Sequence, residues 1–70
     1  MKPLILWARD KHPTPYILRI RQRSDGCVEG VVKIDGLWQP FRFDEDRRQI
    51  RIGEGEEARL VTINEWGWEQ

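Results

Sequence analysis

The chain predicts an all-β fold: a small single domain over residues 1–70, strongly bent into an antiparallel sheet or barrel of five to six short strands, SH3-like or OB-like in size and built on a meander at residues 16–43. Three observations predict it. β-Branched and aromatic residues alternate with polar ones through YILRIRQRSDGCVEGVVKIDGLWQPFRF. Asp-Gly pairs at 25–26 and 35–36 interrupt that alternation at hairpin spacing. Turn residues then recur roughly every eight to twelve positions, the rhythm of short antiparallel strands.

Leu4-Ile5-Leu6-Trp7 is an apolar run of strand length and predicts the first strand, with Pro3 suited to an edge position. Arg9 to Pro15, RDKHPTP, collects charge and two prolines and reads as an exposed loop. Within it Asp10 and His12 have the spacing of metal ligands but no third ligand beside them, so the expectation is a solvated loop histidine and no metal site.

The Asp35-Gly36 turn sets the register of the central hairpin. A type I′ turn there pairs Ile34 with Leu37, Val32 with Gln39, Gly30 with Phe41 and Val28 with Phe43. That face is apolar and predicts the core side. Lys33 then faces Trp38, Val31 faces Pro40 and Glu29 faces Arg42 on the other side. Pro40 has no N–H for the next strand, so pairing beyond it should be short or bulged.

The preceding turn can be tested against the same face. A two-residue loop at Asp25-Gly26 would carry Arg19, Arg21 and Arg23 to the core side throughout the strand. A three-residue loop, Ser24-Asp25-Gly26, instead pairs Ile20 with Gly30, Leu18 with Val32 and Tyr16 with Ile34. Burying guanidinium groups costs far more than a bulge, so the expectation is a left-handed Gly26 in a bulged turn, with Gly30 leaving a gap that Phe41 covers.

Beyond the meander, a loop at Asp44 to Arg47 is expected to return Ile50 and Ile52 to the core face. Gly53 to Glu57 reads as an acidic turn without the glycine pattern of a phosphate loop. Ala58 to Asn64 predicts the last strand. Trp66 and Trp68 fall on one side of an extended tail, where they either close the core or form an exposed aromatic pair.

Twelve basic and twelve acidic side chains give zero net charge, distributed unevenly. Residues 1–33 hold seven basic and three acidic groups, residues 35–70 five and nine. One cysteine, Cys27, allows no internal disulfide and suits a reducing cytoplasm. No apolar run is long enough for a membrane span. Neither Cys27 nor His12 has a catalytic partner that the spacing identifies, so no enzyme, cofactor or catalytic residue is expected.

Both registers place Arg19, Arg21, Arg23, Lys33, Trp38 and Arg42 on the outer sheet face, with Tyr16 near the strand start. Cations around an aromatic surface point to a binding module for single-stranded nucleic acid or another polyanion. The alternative is a protein-interaction module, self-association as a homodimer included, because Trp and Arg are also the residues of interface hot spots.

Overall fold

The computed structural model describes residues 4–69 as seven antiparallel strands in one curled half-barrel sheet, with no α-helix. The strands are β1 (Ile5–Arg9), β2 (Tyr16–Ser24), β3 (Cys27–Ile34), β4 (Leu37–Asp44), β5 (Gln49–Ile52), β6 (Arg59–Thr62) and β7 (Glu65–Trp68). One turn of 3-10 helix, Gly55–Glu57, lies between β5 and β6.

Their order across the sheet is β6-β5-β4-β3-β2-β1-β7. The two edge strands are therefore consecutive in sequence, with only Ile63 and Asn64 between them. Three Cα steps reach about 11 Å, whereas a flat seven-stranded sheet would hold its edges roughly 29 Å apart. The sheet must curl until its edges come within reach of that two-residue link. Ile63 N–H donates to the Arg48 carbonyl at 2.7 Å and Asn64 N–H to the Arg9 carbonyl at 2.8 Å, so successive residues bond to opposite halves of the sheet.

The concave side holds the core. Leu6, Ala8, Leu18, Val28, Val32, Phe41, Phe43, Ile50, Ile52 and Ile63 are buried, and among the described residues no polar or charged one is buried with them. Each large side chain there contributes about 1.5–3 kcal/mol by leaving water. Tyr16, Ile20, Ile34, Val61, Trp66 and Trp68 pack around this centre. Both tail indoles thus close the core, Trp66 meeting Phe43 edge-on at 5.3 Å between ring centroids.

The central hairpin has the expected register at every pair from Ile34–Leu37 to Val28–Phe43. Asp35 (φ 51°) and Gly36 (φ 82°) are both left-handed, as a type I′ turn requires. Pairing between β4 and β5 begins only at Phe41, just past Pro40, whose carbonyl accepts from Gly53 N–H at 2.9 Å.

The β2–β3 hairpin departs from expectation. Gly26 is left-handed (φ 71°), but Ser24 pairs with Cys27 and Arg23 with Val28 across a two-residue turn. The register is corrected further up, between Ile20 and Gln22, where Arg21 is the extra residue of a bulge. Gly30 explains the position. A Cβ on residue 30 would lie 1.8 Å from the Arg19 carbonyl oxygen and 3.1 Å from Arg21 N. The backbone of β2 fills the gap that Phe41 was expected to cover, and the bulge falls at that close crossing.

Other differences are smaller. The first strand lies between β2 and β7, not at an edge, because the tail forms a seventh strand beside it; Pro3 falls outside the described residues. On the outer face the Trp7 indole lies over Gly67, where a Cβ would meet the ring at 3.1 Å, so the edge glycine is covered by its cross-strand aromatic neighbour. The β4–β5 loop is Glu45 to Arg48, one residue later than expected. Asp44 accepts from the N–H groups of Asp46 and Arg47, and Arg48 turns left-handed (φ 55°). Phe43 consequently faces Ile50 and Phe41 faces Ile52, a shift of two residues that leaves both isoleucines in the core.

Gly30→Ala should destabilise the fold by more than about 3 kcal/mol, above the usual range for one added core methyl. Gly36→Ala, left-handed but with open space around it, should lose about 1–2 kcal/mol. Urea denaturation of the two variants checks this, and equal midpoints would contradict the close approach at Gly30.

Candidate nucleic-acid interface

Three of the six residues predicted on the outer face come together. Trp38, opposite Lys33 on β3, is 50% exposed. The Arg19 guanidinium carbon lies 5.0 Å from its ring centroid and Lys33 Nζ 5.9 Å from it, both within cation–π range. Arg19 reaches the ring because it shares the outer face with Val31, its direct neighbour on β3. Ile17 is half exposed in the same open groove of about 500 Å³, together with Tyr16 and His12.

The other three stand elsewhere. Arg42 is held by its strand neighbours: its Nε donates to Cys27 Sγ at 3.1 Å and lies 3.5 Å from Glu29 Oε1. These contacts hold its pKa above the ordinary arginine value, the Cys27 hydrogen bond first and the Glu29 charge after it. Arg21 is the bulge residue, and Gln22 takes the place opposite Glu29 that unbroken pairing would have given it.

Arg23 is turned to the concave side. After a slip of one residue each side chain changes face, so Arg23 pairs with the core residue Val28. Its guanidinium carbon sits 4.7 Å from the Trp68 ring centroid at the end of the sheet, where water still reaches the charge. Arg23 is therefore a cap over the tail indole and no part of the outer face.

Tyr16 lies on the core side, as the expected β2–β3 register places it. It packs against the core and its hydroxyl donates to Asp10 Oδ2 at 3.4 Å. Burial first, and the Asp10 charge second, push its pKa above the ordinary phenol value. Asp10 in turn accepts from His12 N–H at 2.8 Å and lies 3.0 Å from His12 Nδ1. Asp10 and His12 thus build a loop turn, and no group of three or more potential metal ligands occurs among the described residues. No helix among them is long and apolar enough to cross a membrane.

Arg51 was missed by the sequence reading. Its register partner is Arg42, so it faces outward beside Arg42 and Arg21. Its alternation with Ile50 and Ile52 already marked an outward position, but its neighbours depended on the β4–β5 register.

The loop contact has a definite pH dependence. The His12 backbone hydrogen bond lowers the Asp10 pKa below its ordinary 3.8. The unfolded chain therefore binds the proton more tightly, and this contribution to stability is complete above the unfolded value and lost as pH falls through the lower native one. The His12 amide resonance should titrate with an acid midpoint below 3.8; a midpoint at or above it would contradict the contact.

The chain matches no family model, no curated protein and no solved structure, which leaves its own residues and their geometry to carry a functional reading.

Proposed function

We propose that the outer sheet face centred on Trp38 binds single-stranded nucleic acid, the indole stacking on an unpaired base while Arg19 and Lys33 contact adjacent phosphates. The observation that supports this is one half-exposed indole on the face away from the core, with two cations at 5.0 and 5.9 Å from its ring. The core contains its own aromatic residues and does not enclose Trp38. A base has a π-face whatever its sequence, and stacking on an aromatic side chain is worth about 1–3 kcal/mol. Arg19 suits such a partner doubly, because its planar group can remain stacked while its outward N–H groups reach phosphate oxygens.

This is a binding role with no chemistry attached to it. Affinity should be modest and should depend on salt, since only two cations flank the ring and each phosphate neutralised on a single strand contributes about 0.7 to the salt slope.

A second reading, self-association through the same surface, is favoured by Ile17, which is 49% exposed in the same groove as Trp38. Loss of apolar area to water, and no salt effect, would then dominate.

Titration with single-stranded DNA and RNA oligonucleotides should quench tryptophan fluorescence at low salt. Trp38→Ala should weaken binding by about 5- to 150-fold, the range that the loss of one stacked base implies. Arg19→Ala or Lys33→Ala should each reduce the salt slope by about 0.7. No quenching at low salt, together with a scattering mass near twice 8.4 kDa that Ile17→Ser returns to monomer, would replace this function with self-association.

A further inference from the structure

The outer face carries a second cationic cluster in which Trp38 takes no part. Arg42 and Arg51 are direct cross-strand neighbours on β4 and β5. Like charges so placed destabilise a sheet unless something negative lies between them. Arg21, displaced by the bulge, joins them around an open concavity of about 360 Å³ that Gly30, Pro40 and Gly53 also line.

Compensation within the protein is partial. Glu29 lies 3.5 Å from Arg42, while neither Arg21 nor Arg51 has a carboxylate within ion-pair distance among the described residues. Gln22, beside Glu29, adds an amide donor to the same concavity. One carboxylate cannot neutralise three guanidinium charges, and Glu29 is within ion-pair distance of Arg42 alone. A tetrahedral oxyanion with three or four oxygens can engage all three.

We propose that the concavity between Arg21, Arg42 and Arg51 is an oxyanion site that takes a phosphate group. The proposal stands apart from the Trp38 reading and does not need it. The bulge gives the site its form: it removes Arg21 from the regular ladder and sets it beside two arginines that the β4–β5 register has already brought together. The ligand's charge would relieve the repulsion between Arg42 and Arg51, so the site should stabilise the fold when filled.

The test is thermal denaturation and 15N NMR in inorganic phosphate against sodium chloride of equal ionic strength. Phosphate also stabilises proteins generally through exclusion from their surface, so the readout is the difference between wild type and Arg51→Gln. Without phosphate, Arg51→Gln should raise the melting temperature by a few degrees, because a repulsive pair is lost. With phosphate, the wild type should show a saturable rise and shifts confined to the Arg21, Arg42 and Arg51 Nε and Gly30 and Gly53 amide resonances. Arg51→Gln and Arg21→Gln should each weaken that response at least tenfold, while Trp38→Ala should retain it in full.

Shifts that are unsaturable, spread over the surface or unchanged in Arg51→Gln would overturn the site, as would a lower melting temperature for Arg51→Gln without phosphate. Short oligonucleotides with and without a 5′-phosphate distinguish the source. Tighter binding of the phosphorylated strand, lost in Arg51→Gln, assigns the site to a nucleic-acid terminus, and equal binding assigns it to a free phosphate compound.

Discussion

The Arg19 carbonyl oxygen lies where a side chain on residue 30 would begin, 1.8 Å from an ideal Cβ, and the curvature of the sheet depends on that approach. Glycine alone lets two strand backbones come so close. The extra residue at Arg21 provides the local twist that brings β2 across Gly30, and the sheet then curls enough for β6 and β7 to be joined by two residues. Ile63 marks the junction: it is buried, and its N–H and that of Asn64 bond to opposite halves of the sheet.

The same bulge divides the arginines of β2. Before it, Arg19 faces outward beside Trp38; after it, Arg23 faces inward and covers Trp68. Arg21, at the bulge, belongs to neither set and stands next to Arg42 and Arg51. Three arginines at alternate positions of one strand would ordinarily form a uniform basic stripe. Here they serve three separate environments, so the outer face has two distinct cationic places instead of one continuous ridge. Zero net charge is compatible with this arrangement, because the local field near Trp38 depends on Arg19 and Lys33 and falls off within about a Debye length of them.

Much of the fold was legible where a local rule and the hydrophobic pattern agreed. Asp35-Gly36 has one favoured turn, and that turn put Val28, Val32, Phe41 and Phe43 on one face, so the β3–β4 register followed completely. The β2–β3 hairpin offered two solutions that satisfy the same pattern, a bulge at the turn or a bulge within the strand. The choice between them lay in a contact between residues 19 and 30, which alternation does not encode. The β4–β5 shift was hidden for a related reason: moving by two residues keeps Ile50 and Ile52 inside, and the Asp44 carboxylate decides where the turn begins. β7 was legible as an extended tail with both indoles on one side, but its partner β1 could be named only once the sheet had closed. Of the candidate site, Trp38, Lys33 and Arg19 were readable because they lie on the safe side of the bulge; Arg23 was misplaced and Arg51 missed because both depend on the two registers that remained open.

Cross-strand Hα–Hα and amide nuclear Overhauser effects along β2 and β3 test the central claim most directly, because they report the register on either side of Arg21. Contacts joining Leu18 with Val32 and, beyond the bulge, Arg23 with Val28 and Ser24 with Cys27 are the predicted result. Contacts joining Arg23 with Cys27 and Gln22 with Val28 would contradict it: they would return the extra residue to the turn, Arg23 to the outer face and Arg21 to a regular ladder.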